Sequence, residues 1–182
     1  MSIQWAVVLF LFLWCATLSR RQRRLDALSL YDSLTGLLCG RVLDRERWPA
    51  AIRASSPVAF VYIDLDDLKA RNTAGGDKAG DKYIKTAAQR LERRRGVDQV
   101  FRLHSAGDEF GILVVGESAL RVGTFADLLV ADLSSVGISA SIGAACTESQ
   151  DHNVRAKVYE AAEENMRTAK QHKRCARSTV LS

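Results

Sequence analysis

A mostly apolar stretch interrupted by small residues constrains the fold of this chain more than any other feature. Residues 100–103 lead into Ala106-Gly107, and a second apolar run covers residues 110–115. Two strand-like runs on either side of a break of small residues are typical of a β-hairpin. A pair of carboxylates, Asp108-Glu109, follows the break directly. Taken alone, this pair fits a solvated turn and a functional site equally well.

Further carboxylates follow a second apolar run. Residues 58–63 are continuously apolar and partly β-branched, which predicts a buried central strand, and Asp64-Leu65-Asp66-Asp67 comes next. If the strand continues, Asp64 and Asp66 face the same side. Asp66 or Asp67 could instead cap the helix that follows. Asp64 is expected to be partly buried, where an unpaired carboxylate is unfavourable and a bound metal ion would offset its charge.

The remaining chain alternates helical and strand patterns, which predicts an α/β fold. With 182 residues and 47% hydrophobic content, the chain can bury one core of ordinary size. Helices are predicted for residues 41–54, 69–72, 82–95, 117–133 and 154–171, and a further strand for residues 137–145. The glycine-rich residues 74–81 are predicted to form a loop, and Pro49 is expected to kink or end the first helix.

The N-terminal segment has the character of a membrane anchor. Residues 3–18 are almost wholly apolar, with tryptophans near both ends, and four arginines follow within residues 20–24. The run is short for a spanning helix, which typically has about 20 residues, so a buried core helix is the alternative. By the positive-inside rule, the arginines keep the rest of the chain in the cytoplasm. We therefore expect a single-pass anchor over residues 1–19 and a linker helix over residues 20–31.

Composition restricts the classes of partner. The net charge is +5, but the chain has no stripe of interleaved basic and aromatic residues, so no nucleic-acid partner is expected. The four cysteines, at positions 15, 39, 146 and 175, have neither metal-ligand spacing nor the arrangement of a disulfide framework. They fit a reducing compartment. A modest positive charge also suits a small polyphosphate substrate.

Six short segments occur in a fixed order along the chain. They are D-S-L-T-G-L at 32–37, D-L-D-D-L-K-A-R-N at 64–72, G-D-K-A-G-D at 76–81, A-G-D-E-F at 106–110, S-A-S-I-G at 139–143 and A-E-E-N-M-R-T-A-K at 162–170. Each segment alone is weak evidence, whereas six in order are specific. Together they resemble the motifs of GGDEF-domain diguanylate cyclases, and the resemblance covers residues 32–174.

The resemblance implies a single palm-like α/β domain over residues 32–177, with a mostly antiparallel central sheet flanked by helices and a tail at residues 178–182. Enzymes of this family condense two GTP molecules into cyclic di-GMP and pyrophosphate with magnesium, and two protomers face each other in a homodimer. For this chain it implies a diguanylate cyclase anchored in the inner (cytoplasmic) membrane through its N-terminal helix, with the catalytic domain in the cytoplasm.

The resemblance also implies that Asp64, Asp108 and Glu109 are the catalytic residues. The same carboxylates, together with the Leu65 carbonyl, are the implied magnesium ligands. Hard carboxylate oxygens are the ligands that such metals prefer. Two metal ions can lower the pKa of the attacking 3′-hydroxyl and offset the charge of the leaving pyrophosphate. Glu109 is implied to lie near that hydroxyl.

A further set of residues is implied to bind the nucleotide: Lys69, Asn72, Asp81, Ala106, Gly107, Lys170 and Arg174. Asn72 and Asp81 are implied to contact guanine, and the chemistry agrees for Asp81, whose carboxylate can accept from both donors on the guanine edge. The lysines and the arginine are implied to contact phosphates, and the two small residues let the backbone approach them. Lys170 and Arg174 lie four apart near a helix end, where two cations commonly just face solvent; that is the alternative for this pair.

The signature segment departs from the family pattern. Ala106 stands where the family has glycine, and a methyl group there would crowd a phosphate or disfavour a positive φ. His104-Ser105 are two extra residues, which lengthen the loop that carries Asp108, although an even insertion can preserve the faces that the strands present. The alternative function is therefore a degenerate, catalytically weak or inactive domain that acts as a cyclic di-GMP receptor or an interaction module.

Arg95 and Asp98 match the R-x-x-D pair that forms the inhibitory product site of the family. Binding of cyclic di-GMP at this pair is therefore implied. The alternative is that Arg95 only ends an arginine-rich helix before Gly96, which suits a helix C-terminus.

Overall fold

The computed structural model describes residues 5, 14, 15, 17, 30–94 and 99–180, with the backbone alone described at residues 94 and 174–180. The chain divides into a unit of residues Met1–Leu30 and a unit of residues Tyr31–Ser182. Within the described part of the chain, no helix is long and apolar enough to cross a membrane. The expected anchor at residues 1–19 and linker helix at residues 20–31 lie almost entirely outside that part, so both stay predictions.

One mixed sheet forms the centre of the second unit. Its strands are β1 (Leu38–Cys39), β2 (Val58–Leu65), β3 (Gln99–Arg102), β4 (Glu109–Val115) and β5 (Ala140–Thr147), in the order β1-β3-β4-β2-β5. β1 pairs with β3 in parallel, and the other three neighbouring pairs are antiparallel. The prediction of a mostly antiparallel sheet is confirmed, as are the hairpin of β3 with β4 and the buried strand β2.

Helices connect and cover the strands. They are α1 (Gly40–Val42), a π-helical turn (Leu43–Arg47), α2 (Trp48–Arg53), α3 (Leu68–Gly75), α4 (Asp77–Arg94), α5 (Ala119–Ser135), α6 (His152–Ala156) and α7 (Val158–Val180). Residues on β2 alternate between the two faces of the sheet, as the period of a strand requires. Val61 and Ile63 pack with residues of α4 and α5, whereas Phe60 and Tyr62 pack with α7 and the first helices. The α/β prediction is therefore confirmed, with helices on both faces.

Two local predictions differ from the structure. Residues 74–81 were expected to form a loop, but α3 continues through Gly75 and α4 begins at Asp77. Gly76 alone breaks the helix, with a φ of 69° that glycine adopts readily. The predicted first helix contains the π-helical turn directly before α2, and Pro49 lies in the first turn of α2. Proline lacks the N–H that would continue the α-helical hydrogen bonds, which accounts for an irregular turn at this point.

Candidate active site

The ends of β2 and β4 bring the predicted catalytic carboxylates together. These strands are antiparallel neighbours, and Asp64 at the end of β2 lies opposite Glu109 at the start of β4. The Leu65 N–H donates to the Asp108 carbonyl oxygen at 3.1 Å. Because β2 ends where β4 begins, all four predicted metal ligands lie at one edge of the sheet. Their roles as catalytic residues and magnesium ligands stay predictions.

Asp64 lies in a strongly charged environment. The side chain is 9% exposed, and its Oδ1 atom accepts a hydrogen bond from the Lys170 ammonium on α7. Burial raises the pKa of Asp64, Lys170 opposes that rise, and the negative charges of Asp108 and Glu109 add to it, so the pKa lies above its ordinary value. The solvent-facing alternative is therefore wrong for Lys170. The side chain of Arg174 lies outside the described part of the chain.

The donor chemistry of this edge fits a divalent cation. Asp64, Asp108 and Glu109 supply hard oxygen ligands of the kind that magnesium prefers, and their mutual repulsion at Asp64 is relieved by positive charge. Among the residues that the structure describes, no group of three or more Asp, Glu, His or Cys side chains forms a ready metal-binding cluster.

Asp66 directly follows β2, and residues from β5, the segment before it and α7 hold its carboxylate at the same edge. Its carboxylate accepts hydrogen bonds from the Ser139 and Ser141 hydroxyls at 2.7 Å and 2.9 Å, and from the Lys173 ammonium at 3.2 Å. Burial alone would raise the pKa of Asp66, but these donors together hold it below its ordinary value. The alternative that Asp66 caps a helix is therefore wrong. Asp67 occupies the N-cap position of α3, with a φ of 65° and no capping hydrogen bond from its side chain.

A cavity of about 340 Å³ is lined in part by the loop that leads to Asp108. Its lining includes Leu34, Leu68, Asn72, Asp81, Ile84 and Ala106, so three of the predicted nucleotide-binding residues share one space with apolar side chains. The Oδ1 atom of Asn72 is buried and has no hydrogen-bond partner among the described residues. A Cβ at Gly80 would lie 1.8 Å from that oxygen, so only glycine leaves the amide in place. Lys69 is exposed on α3.

The lengthened loop between β3 and β4 connects the cavity to the carboxylates. Arg102 pairs with Phe110, and the Leu103 N–H donates to the Glu109 carbonyl oxygen at 3.0 Å, so His104-Ser105 lie in the loop and the strands keep their register. Ala106 does not adopt a positive φ, since Asp67 is the one described residue other than glycine that does. The backbone at Ala106 therefore does not need the positive φ that a methyl group would disfavour.

Comparison with known proteins identifies the family. The family model described as "Diguanylate cyclase, GGDEF domain" matches residues 29–176. This chain belongs to the GGDEF family. The chain is 36% identical over 141 residues to the bifunctional diguanylate cyclase/cyclic di-GMP phosphodiesterase MucR of Pseudomonas aeruginosa, a match that covers 71% of this chain and 20% of MucR.

Other relatives agree with this membership of the GGDEF family. Diguanylate cyclase DgcS of Shewanella oneidensis is 30% identical over 152 residues, which covers 78% of this chain and 50% of DgcS. The solved GGDEF domain of TpbB (YfiN) from Pseudomonas aeruginosa has a TM-score of 0.68 at 29% identity, covering 78% of this chain and 89% of that domain. The chain thus spans between a fifth and a half of the length of these two curated relatives.

A buried ion pair joins the first motif of the GGDEF domain to its signature loop. Arg102 Nη1 lies 2.9 Å from Asp32 Oδ1, and both side chains are at most 4% exposed. The same guanidinium donates to the Gly107 carbonyl oxygen through Nε at 3.3 Å and Nη2 at 2.9 Å. Burial alone would raise the pKa of Asp32, but the hydrogen bonds of Thr35 and Arg102 outweigh it, so the pKa lies below its ordinary value.

Asp32→Asn should lower the free energy of unfolding by about 3 kcal/mol at pH 7, because it leaves the buried Arg102 charge without its partner. The pKa of Asp32 is depressed in the folded state. The ionised carboxylate therefore stabilises the fold fully above about pH 4, and this stabilisation is lost as the pH falls through the folded pKa. The difference between variant and wild type should therefore shrink toward pH 3. Urea unfolding across this range measures it.

The exposed Asp127 on α5 provides the control for this experiment. Asp127→Asn should change the free energy of unfolding by less than about 0.5 kcal/mol at pH 7. An Asp32→Asn difference that is equally large at pH 7 and pH 3 would contradict the account of the ion pair.

Sequence reasoning missed several residues of this site. Ser139, Ser141 and Lys173 are absent from the predicted site residues. The spacing of the two serines, one just before β5 and one on it, places them on one face, and Lys173 lies one helical turn beyond Lys170. Arg95 and Asp98 lie outside the described residues, so the inhibitory product site stays a prediction.

Proposed function

We propose that this chain is a membrane-anchored diguanylate cyclase that condenses two GTP molecules into cyclic di-GMP and pyrophosphate. The observation that supports it most is the loop between β3 and β4, which places Ala106 in the cavity with Asn72 and carries Asp108 to the edge where Asp64 lies. A nucleotide-sized cavity and a set of acidic oxygens are therefore joined by one short segment. The names of the two curated relatives agree with this activity.

The cavity suits a guanine base. Leu34, Leu68 and Ile84 offer apolar surface to a flat ring, and about 340 Å³ is within the usual range for ligand pockets. Guanine presents an N1–H and an amino group on one edge, and the Asp81 carboxylate can accept from both. Adenine lacks this pair of donors and would leave Asp81 unsatisfied. The Asn72 Oδ1 atom is a second acceptor in the same cavity.

The edge of the sheet suits attack of a 3′-hydroxyl on an α-phosphate. Asp64, Asp108, Glu109 and the Leu65 carbonyl would hold magnesium, which when bound lowers the pKa of the hydroxyl and offsets charge on the leaving pyrophosphate. Glu109 lies opposite Asp64 and would orient the hydroxyl. The Lys170 ammonium reaches this edge from α7, where it can also contact a phosphate. Lys69 and Arg174 are the further phosphate contacts of the proposal.

The reaction requires two GTP molecules, so two protomers must face each other in a homodimer. The proposed anchor at residues 1–19 would confine the chains to the inner membrane, with the catalytic domain in the cytoplasm. Confinement to a membrane raises the effective concentration of one protomer near another. This would favour the face-to-face encounter that the chemistry needs.

Asp81→Asn should raise the KM for GTP about tenfold or more, because an amide offers one acceptor and a donor where guanine needs two acceptors. The full chain in detergent micelles is incubated with magnesium and either GTP or ATP, and products are separated by chromatography. Wild type should form cyclic di-GMP from GTP and no cyclic dinucleotide from ATP. Asp127→Asn, on exposed α5, should behave like wild type.

An unchanged KM in Asp81→Asn would contradict the guanine assignment. Direct binding of cyclic di-GMP, measured by calorimetry, separates the two candidate functions. A wild-type chain that forms no product yet binds cyclic di-GMP would favour the receptor function, which the altered residue Ala106 suggests.

A further inference from the structure

Helix α3 carries two of the predicted nucleotide contacts but receives little support from the apolar core. Lys69 and Asn72 lie on this helix of eight residues. The structure describes every residue of α3, and none of them is fully buried. Leu68, at the first position, packs only partly against the core. Since burial of an apolar face is the usual source of helix stability in proteins, the position of α3 must depend on other contacts.

Arg71 supplies one such contact, with the end of α5. Its Nη2 atom donates a hydrogen bond to the Gly137 carbonyl oxygen at 2.9 Å. Gly137 has a φ of 74° and follows the last turn of α5. The Gly137 N–H donates to the Ser134 carbonyl oxygen and the Ile138 N–H to the Leu133 carbonyl oxygen, both at 3.0 Å. These are the hydrogen bonds of a Schellman motif, so Arg71 contacts a turn that is itself fixed.

The electrostatics of this helix end favour a cation. α5 has 17 residues and no basic residue in its last turn. The carbonyl groups at the C-terminus of a helix carry partial negative charge, which a nearby cation stabilises. Arg71 brings that positive charge from a different helix. The contact between α3 and α5 therefore has an electrostatic as well as a hydrogen-bonding component.

The same guanidinium stacks on the ring of Tyr83, which lies on α4. The central carbon of the Arg71 guanidinium lies 4.0 Å from the ring centroid, within the range of a cation–π interaction. Tyr83 is 6% exposed. Its hydroxyl accepts from the Ser139 N–H at 3.0 Å and lies 3.2 Å from the carbonyl oxygens of Asp66 and Ser139, to which it donates. Arg71 therefore rests on a ring whose position is fixed.

The place of Arg71 in α3 connects these contacts to the nucleotide cavity. Arg71 directly precedes Asn72, whose side chain lines the cavity and fits closely beside Gly80 of α4. A small shift of α3 relative to α4 would therefore displace the Asn72 amide. Lys69 lies two residues before Arg71 on the same helix and would move with it.

We propose that Arg71 is a positioning residue for the nucleotide: it holds α3 against α4 and α5 and thereby keeps Asn72 and Lys69 in place. The inference rests on the proposed diguanylate cyclase function. Arg71 is not among the described residues that line the cavity, so it acts through the helix. A preorganised site binds its ligand at lower cost, so loss of Arg71 should weaken nucleotide binding more than it slows the chemical step.

Arg71→Ala tests this inference, because it removes both contacts of the guanidinium and introduces the residue with the highest helix propensity. For the full chain in detergent micelles with magnesium, we expect the KM for GTP to rise about fivefold. The kcat should stay within about twofold of wild type.

The matched control is Arg90→Ala. Arg90 on α4 lies 3.7 Å from Asp132 on α5, so this variant also removes an arginine that joins two helices. The ion pair does not involve α3. The KM for GTP of Arg90→Ala should therefore stay within about twofold of wild type.

Two further measurements do not depend on turnover. Calorimetry uses a GTP analogue with a methylene bridge between its α- and β-phosphates, which Arg71→Ala should bind about fivefold more weakly than wild type or Arg90→Ala. Amide hydrogen exchange, followed by mass spectrometry, should be several-fold faster in α3 of Arg71→Ala than in the other two chains. If wild type binds the analogue but forms no cyclic di-GMP, the proposed reaction fails, and the binding comparison still decides the role of Arg71.

Four results would overturn the inference. Unchanged KM and analogue affinity in Arg71→Ala would show that nucleotide binding does not depend on Arg71. An equal loss of affinity in Arg90→Ala would show a general effect of weakened helix contacts. A rise in KM without faster exchange in α3 would show that Arg71 does not act through the position of this helix. A wild-type chain that does not bind the analogue would overturn the inference together with the proposed function.

Discussion

Asp108→Ala should reduce cyclic di-GMP formation by the full chain at least about a thousandfold, a change of about 4 kcal/mol in the activation free energy. Asp108 is at the end of the loop that enters the edge of the sheet, and its backbone carbonyl is fixed by the Leu65 N–H at 3.1 Å. Alanine keeps that backbone contact and removes one carboxylate from the proposed magnesium site. Metal-assisted phosphoryl transfer depends on such charge, so the loss falls on the chemical step.

The measurement is chromatography of the products after incubation with GTP and magnesium. Asp127→Ala is the matched control, since Asp127 is an exposed aspartate on α5 and should retain the wild-type rate. Asp108→Ala with more than about a tenth of the wild-type rate would contradict a catalytic role for this carboxylate. If wild type forms product and Asp108→Ala does not, the reaction tolerates Ala106 and the extra residues His104-Ser105 in the signature loop.

Gly143→Val should lower the free energy of unfolding by about 3 kcal/mol. Formation of cyclic di-GMP should be lost as well. Helix α7 packs directly on β5 at this glycine. A Cβ at Gly143 would lie 2.1 Å from the Met166 backbone N and 2.3 Å from the Ala162 carbonyl oxygen, and backbone atoms cannot rotate away. The helix must therefore shift. Lys170 lies one turn beyond Met166 on the same helix, so the shift also displaces Lys170.

Gly123 provides the matched control for this substitution. It lies within α5, and a Cβ there would meet no heavy atom within 4 Å. Gly123→Ala should raise the free energy of unfolding by about 0.5–1 kcal/mol, because alanine restricts the unfolded chain more than glycine does. Urea unfolding monitored by circular dichroism compares the variants. A Gly143→Val chain within about 1 kcal/mol of wild type would contradict the close packing of α7 on β5.

The sheet was largely predictable from the sequence because its strands have simple apolar patterns. Residues 58–63 read as a buried strand, and β2 is buried along its whole length. The helical structure of the glycine-rich residues 74–81 could not be predicted in the same way. Glycine signals a turn in general, whereas here only Gly76 has a positive φ, and Gly80 is required inside α4 because Asn72 occupies the space beside it.

The carboxylates of the site could be predicted to lie together, but their partners could not. Asp64 and Glu109 each follow or open a strand of one sheet, so proximity follows from pairing. The contacts of Asp66 with Ser139 and Lys173 join residues 73 and 107 positions apart in the chain. They depend on the register of β5 against β2 and on where α7 crosses the sheet, and neither is encoded in a local pattern.

The pairing of Asp32 with Arg102, and of Arg102 with the Gly107 carbonyl, has a mechanical consequence. The guanidinium of Arg102 links the loop that carries Asp108 to Asp32, in the first motif of the GGDEF domain. A displacement of Asp32 by about an ångström would break its ion pair with Arg102 or move the Arg102 side chain with it. Either event would change the support of the Gly107 carbonyl without any deformation of the apolar core. A force applied to the chain before Asp32 would therefore be transmitted to the signature loop through two side chains, those of Asp32 and Arg102.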